Sequence, residues 1–266
     1  MKIIKSLTIA GTDPTGGAGI QSDIKVFAAL KSYGSSVITS LLAQNTCGVQ
    51  GIMPIKPSFV LKQLDSVIND IKIDSCKIGM VFNNEIIKTI YNRLNQTKIP
   101  WIILDTVMMS TSNHTLLLNN SIKNFCKYLI PIASIITPNL KESAIILNTN
   151  IANNEEEMKI QGRNLLKIGA KAVLLKGGHL KSKESPDWLF IKSEEIRFSA
   201  KRIKTKNYHG TGCSLSAALT ALIPRYNNWI KTISEAKKWI QGAIENSKKL
   251  KIGKGKGPIN HFYKWW

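Results

Sequence analysis

Cysteine is scarce and scattered in this 266-residue chain. Cys47, Cys76, Cys126 and Cys213 form no C-x-x-C pair and match none of the spacings of a structural zinc site. That excludes a disulfide scaffold and a zinc module, and it points to a reducing compartment. Long apolar runs are missing too: no segment approaches the roughly 20 uninterrupted apolar residues that span a bilayer. The stretch from Met1 to Gly11 is basic and apolar, but Asp13, Pro14 and a run of glycines follow with no small-residue cleavage site. It reads as a first buried strand, not a signal peptide. There is no G-x-x-x-x-G-K-[ST], and no G-x-G-x-x-G follows a strand, which argues against a Walker-type nucleoside triphosphatase and a Rossmann oxidoreductase.

Acidic residues are in deficit, with 17 against 37 basic ones and a net charge of +20. Such a charge raises the question of nucleic acid. The lysines are spread along the whole chain, however, and the six Tyr and seven Phe are not interleaved with them as a stacking surface would need. The only dense run is Lys248-Lys249-Leu250-Lys251 with Lys254 and Lys256. A solvated lysine-rich surface is expected, with no nucleic-acid or membrane partner, and a basic rim would attract phosphorylated substrates. No internal repeat, low-complexity linker or composition break divides the chain, so one domain over residues 1–266 is expected.

What the chain does have is 43% apolar content arranged as short Ile/Val/Leu runs between longer segments of helical period. This is the pattern of βαβ units and a mostly parallel sheet. Strands are predicted at Leu7–Ala10, Val37–Thr39, Cys76–Val81, Trp101–Asp105, Ser134–Thr137 and Ala172–Lys176. Helices are predicted at Phe59–Asp70, Glu155–Ile168, Gly212–Leu222 and Ile233–Leu250. Asn154 is the expected cap of the second helix, with Glu157 closing a capping box and Gly169 past its end. Trp188–Ile191 and Ile196–Phe198 break the order and read as an antiparallel hairpin at one sheet edge.

In open parallel sheets, ligands bind beyond the carboxyl ends of the strands. Three polar or glycine-rich segments fall there. His209-Gly210-Thr211-Gly212-Cys213-Ser214 opens a small-residue helix; its bare backbone N–H groups at the positive end of the helix dipole suit an anion, and a tight turn into a buried helix is the alternative. The segment from Gly11 to Asp23 has four glycines, long for a βα loop without a task. Asp105, and Asn139 with Glu142, could hold Mg²⁺ through hard oxygen ligands; Asn139 as helix cap with Glu142 at N3 is an equally good structural account. His114 and His179 read as polar loop residues, because no second ligand stands at metal spacing.

Together these segments carry a resemblance. Ala10-Gly11-Thr12-Asp13-Pro14, Gly16-Gly17-Ala18-Gly19-Ile20-Gln21, Gln44 to Gln50, Lys77-Ile78-Gly79-Met80, Leu104 to Met108, Ile136-Thr137-Pro138-Asn139-Leu140, Lys176-Gly177-Gly178-His179 and His209-Gly210-Thr211-Gly212-Cys213 run in order along the whole chain. The sequence resembles the hydroxymethylpyrimidine and phosphomethylpyrimidine kinases of thiamine biosynthesis, within the ribokinase-like superfamily. The resemblance implies a ribokinase-like three-layer αβα fold with a mostly parallel central sheet and an antiparallel edge hairpin. It further implies ATP and Mg²⁺, a cytoplasmic location, a homodimer, and two successive phosphorylations of 4-amino-5-hydroxymethyl-2-methylpyrimidine.

By the same resemblance Gln44 reads the pyrimidine edge, an amide suiting a ring nitrogen beside an amino group, and Gly11, Asp23, Met80 and Val107 complete the substrate pocket. Gly210, Thr211, Gly212 and Cys213 form the catalytic cradle. Cys213 either takes the hydroxyl proton as a thiolate favoured by the helix N-terminus or only positions the nucleophile. Asn139, Lys176 and Thr211 meet ATP, and Glu142, Asn139 and Asp105 meet Mg²⁺. The nearest rival is a pyridoxine or pyridoxal kinase, against which Gln44, Met80 and the Gly-Thr-Gly-Cys motif weigh.

Overall fold

The computed structural model describes residues 3–110, 114–192 and 194–265. Its centre is an eight-stranded sheet. The strands are β1 (Ile4–Ala10), β2 (Ser32–Ile38), β5 (Ser75–Ile78), β6 (Trp101–Leu104), β7 (Ile135–Ile136), β8 (Ala172–Lys176), β9 (Asp187–Ile191) and β10 (Glu194–Phe198). Their order is β10-β9-β8-β7-β6-β5-β1-β2. From β2 to β8 all pairings are parallel, and β9 and β10 add the antiparallel edge hairpin expected from the sequence. Two further strands, β3 (Ser40–Asn45) and β4 (Gly48–Pro54), form a separate antiparallel ribbon.

The middle strands are apolar on both faces. Val173 and Leu175 enter one buried cluster while Leu174 enters the other, and Ile102 and Leu104 alternate with Ile103 in the same way. This is the period-2 division of a strand between two covered faces. Helices Pro57–Asp70, Asn84–Asn95 and Glu155–Lys167 cover one face. Gly19–Ala29, Thr211–Tyr226 and Trp229–Glu245 cover the other. Every residue from Ser214 to Ile223 in Thr211–Tyr226 is buried, so the helix behind the glycine motif is a core element that holds its N-terminus in a fixed place.

Several boundaries differ from the sequence reading for identifiable reasons. β2 begins five residues early, at Ser32, because its first half is polar: Ser32 Oγ bonds to Ser6 Oγ at 2.7 Å and to the Ile4 carbonyl at 3.0 Å. The helix Asn84–Asn95 was not anticipated, although Asn83 caps it and Ile86, Ile87, Ile90 and Leu94 form its buried stripe. Asn154 does cap Glu155–Lys167, but the Glu157 carboxylate reaches back to the N–H of Asn153 and to the Asn154 amide, so the reciprocal bond to the cap's own N–H is not made. The β3–β4 ribbon was missed as well; Asn45 Oδ1 accepts from the N–H of Cys47 and Gly48 and closes its turn. Among the described residues no helix is long and apolar enough to cross a membrane.

Candidate functional site

The strand order reverses at β1, which is flanked by β2 on one side and β5 on the other. A crevice beyond the carboxyl ends of these strands is the expected ligand position. Gly11 follows β1, and Gly79 and Met80 follow β5. The approach is close: a Cβ on Gly11 would lie 2.9 Å from Met80 Sδ and 3.2 Å from Leu42 Cδ1. The ribbon β3–β4 folds over this end, where Leu42, Val49, Met80 and Leu116 form a small apolar cluster with Ile52, Phe82 and Val107 against it. A β-bulge at Ala43/Gln44 shifts the register, a device that re-aims side chains. Gln44 shares the inward face with Leu42. Its amide nitrogen lies 3.1 Å from His209 Nε2.

Four of the five expected substrate residues, Gly11, Gln44, Met80 and Val107, therefore converge. Asp23 lies beneath them with no exposed side-chain surface. Its Oδ2 accepts from Thr8 Oγ1 at 2.6 Å and its Oδ1 pairs with Lys77 Nζ at 2.5 Å.

The long loop after β1 is organised by Asp13, a residue not singled out from the sequence. Its Oδ1 accepts from the Thr15 N–H and hydroxyl at 3.0 and 2.8 Å, and its Oδ2 from the Ala18 N–H at 2.8 Å and from His209 Nε2 at 2.7 Å. Burial alone would raise this carboxyl; His209 and Thr15 outweigh it and hold the pKa below the usual value. The same loop presses on the glycine motif. Gly210 has φ +74°, and a Cβ there would fall on the Gly17 carbonyl oxygen, so no other residue fits.

The helix starts at Thr211, one residue before the predicted boundary. Its geometry leaves the N–H groups of Gly212 and Cys213 without intrahelical acceptors. Lys176 Nζ stands 3.4 Å from the point a Gly212 Cβ would occupy, so its charge adjoins those N–H groups. The same ammonium lies 3.3 Å from Asp105 Oδ1. Asp105 also accepts from Thr137 and Ser216 hydroxyls at 3.1 and 3.0 Å. Burial opposes its charge, but Lys176 and Lys77 prevail and hold its pKa low. Lys77, fully buried, also donates to the Cys213 carbonyl at 3.2 Å. Desolvation would drive its proton off, yet Asp23, Cys213 and Asp105 raise its pKa well above the lysine range.

Two expectations change. Burial pushes the Cys213 thiol up to about 11, with Asp105 and Asp23 adding to the rise and Lys77 and the Gly19 N–H opposing it. Of the two roles left open for Cys213, a thiol held this high fits positioning better than a resting thiolate base. Asn139 and Glu142 form the complete capping box: Asn139 Oδ1 accepts from the N–H of Lys141 and Glu142 at 2.9 and 3.0 Å, and Glu142 Oε2 accepts from the Asn139 N–H at 2.8 Å. The Asn139 oxygen is therefore engaged by the cap.

Glu142 Oε2 also takes the Thr106 hydroxyl at 2.9 Å, while Oε1 takes part in neither bond. Burial lifts this carboxyl to about 7 against the pull of Lys176. A desolvated carboxylate with one oxygen uncommitted suits a cation, and Mg²⁺ needs only one or two carboxylates when phosphates and waters complete its shell. Among the described residues no cluster of three or more His, Cys, Asp or Glu forms a metal site without such help. His114 and His179 are exposed on loops.

Lys77, Asp13 and His209 stand in motifs quoted from the sequence but were given no role there; the structure brings them beside the candidate site. Lys77 was the readable one, as the single charge inside the buried run Ser75-Cys76-Lys77-Ile78.

Comparisons with known proteins place the whole chain. The sequence profile described as phosphomethylpyrimidine kinase matches residues 13–260. The hydroxymethylpyrimidine/phosphomethylpyrimidine kinase of Salmonella typhimurium is 52% identical over 266 residues, covering 100% of both chains. The crystal structure of a phosphomethylpyrimidine kinase from Clostridium difficile superposes with TM-score 0.80 at 38% identity, over 91% of this chain and 99% of that one. The pyridoxal kinase of Staphylococcus aureus in complex with AMP-PCP and pyridoxal superposes with TM-score 0.91 at 28% identity, over 100% of this chain and 96% of that one.

Proposed function

The chain belongs to the phosphomethylpyrimidine kinase family, and from that membership we propose that it uses ATP to phosphorylate 4-amino-5-hydroxymethyl-2-methylpyrimidine and then the resulting monophosphate, in thiamine biosynthesis. In the first step the hydroxymethyl oxygen bonds to the γ-phosphorus, the bond to the β-phosphate oxygen breaks, ADP leaves and the hydroxyl proton is released. In the second step an oxygen of the monophosphate attacks instead.

The observation that carries the reading is the convergence of two unlike surfaces: a glycine-opened helix N-terminus beside Lys176 and Lys77, and the apolar crevice of Met80 and Val107 under the strand that bears Gln44. The first suits a transferring phosphoryl group and the second a small aromatic ring. In this proposal Gln44, Gly11, Met80 and Val107 hold the pyrimidine. Asp23 acts from below by fixing Lys77. The N–H groups of Gly212 and Cys213, with Lys176, stabilise charge on the transferring group, and Gly210 keeps the turn open. The Thr211 hydroxyl, bonded to the Tyr208 carbonyl at 2.6 Å, borders the nucleotide.

Glu142 would hold Mg²⁺ through Oε1, with Asp105 ordering Lys176 beside it and Asn139 shaping the turn. The ion supplies charge neutralisation for the phosphates when bound. Cys213 presents a thiol beside the nucleophile and positions it, since phosphoryl transfer depends chiefly on positioning and charge. A homodimer and a cytoplasmic location belong to the same proposal. The cross-strand pair Leu41 and Met53, 40% and 58% exposed on the outer face of the ribbon, is an apolar surface in keeping with self-association.

The structural likeness to pyridoxal kinases favours pyridoxal as a second substrate, because its ring also bears a hydroxymethyl group. Steady-state ADP release with each alcohol tests the order. The pyrimidine is expected to have a kcat/KM at least about tenfold above that of pyridoxal; a higher value for pyridoxal would reverse the assignment.

A further inference from the structure

His209 precedes the glycine motif and is 6% exposed. Its Nε2 faces two groups at once, the Asp13 carboxylate at 2.7 Å and the Gln44 amide nitrogen at 3.1 Å. These neighbours make opposite demands. The Asp13 oxygen facing His209 also takes the Ala18 N–H, and its partner oxygen takes two donors from Thr15, so the carboxylate is an acceptor throughout. It is satisfied only if Nε2 carries a proton, whatever the state of Nδ1. A protonated Nε2 has no lone pair for an amide N–H. The two ends of a glutamine amide are nearly isosteric, and hydrogen-bond partners decide which end points where. A half-turn of the amide puts Oε1 against His209, where it shares the Nε2 proton with Asp13 in a three-centre bond.

We propose that His209, held by Asp13, is the residue that sets the polarity of Gln44: carbonyl oxygen towards His209, NH₂ group towards the crevice. The crevice then presents a hydrogen-bond donor on this side. It selects an aromatic ring with a nitrogen lone pair at the matching position, the one beside the amino group of the pyrimidine. This deepens and rests on the pyrimidine reading of the site. His209 acts through Gln44 and is a positioning residue, with no contact to the reacting atoms required.

The readout is a selectivity ratio, which a merely structural role would leave alone. Purified enzyme is given the pyrimidine alcohol and its analogue in which the ring nitrogen beside the amino group is C–H, and kcat/KM is measured for both. The unaltered enzyme is expected to favour the pyrimidine by about 10- to 100-fold, because the analogue leaves a desolvated donor unpaired. His209→Phe is expected to bring the ratio below about threefold, since the amide can then turn freely. His209→Gln, whose N–H reaches nearly where Nε2 stood, is expected to retain it. His209→Leu gives the same reading should the larger ring disturb the loop. A ratio unchanged in His209→Phe and His209→Leu, with both substrates slowed alike, overturns the proposal, as does a ratio near one in the unaltered enzyme. Failure of the unaltered enzyme to phosphorylate the pyrimidine at all overturns the substrate reading on which the proposal rests, and is recognised separately because it precedes any ratio.

Discussion

The two halves of the central sheet are built on different principles. Around β8 each residue of Ala172–Leu175 is apolar and goes to one of two dry clusters. Across β1 and β5 one face is just as apolar, with Leu7, Ile9, Cys76 and Ile78 in a core cluster. The other face carries Ser6, Thr8, Ser75 and Lys77, all of them fully buried. Ser6 bonds to Ser32 and Ser75, Ser75 to the Thr220 carbonyl, Thr8 to Asp23, and Lys77 to Asp23 and the Cys213 carbonyl. Desolvated charges of this kind add little to stability over an apolar core of equal shape. Their arrangement fixes the Lys77 ammonium between Asp23 and the Cys213 carbonyl at the start of the helix behind the glycine motif, which in the proposed mechanism is the place of the transferring phosphoryl group.

The largest effect should come from breaking the polar half. Lys77→Met leaves Asp23 buried and unpaired, and is expected to cost about 3–5 kcal/mol in denaturant unfolding and to lower kcat by ~10²–10³-fold. Adding Asp23→Asn removes the orphaned charge; most of the stability should return, and the activity should not. In the apolar half Leu174→Ala should cost about 2–5 kcal/mol and leave kcat within about twofold, because Leu174 lines a dry cluster away from the crevice.

Cys213→Ala sharpens the comparison further. With the thiol at about 11, a catalytic thiolate would become more abundant by nearly tenfold per unit as pH rises from 7 to 9, and kcat would climb with it. A positioning thiol predicts no more than about a twofold rise over that range, as Glu142, at about 7, completes its ionisation, and a parallel, lower profile in Cys213→Ala. The smallest effect concerns the ribbon. The chain at Gly255 and Lys256 clasps its turn through N–H bonds to Thr46 Oγ1 at 3.1 Å and the Thr46 carbonyl at 2.9 Å. A Cβ on Gly255 would collide with the Thr46 carbonyl oxygen. Gly255→Ala should raise KM for the pyrimidine by up to about tenfold while KM for ATP stays put.

The same contrast explains what could be read from the sequence. β8 has the bounds expected because an unbroken apolar run between polar ends announces itself, and the helix expected at Glu155–Ile168 starts at its cap as expected and ends one residue earlier, at Lys167. The polar half was nearly silent. The serines at the start of β2 look like loop residues until Ser6 and Ile4 are beside them, and Lys77, though conspicuous as a charge in a buried run, has a partner, Asp23, that lies 54 positions earlier in the sequence. Gly210, Gly212 and Cys213 were legible as a motif. What was not legible was the state of Cys213, since desolvation by the surrounding fold, which no local pattern encodes, overrides the favourable helix terminus. Gln44 was found by resemblance; the pairing of His209 with Asp13 behind it depends on residues 196 positions apart.

The central claim is that one cradle serves two successive transfers to the same pyrimidine. Phosphorus NMR of the enzyme with Mg-ATP and the pyrimidine monophosphate as the only acceptor tests it most directly. Two coupled doublets of a new diphosphate ester are expected to grow in step with ADP. Hydrolysis of ATP to ADP and inorganic phosphate with the monophosphate singlet unchanged would contradict it.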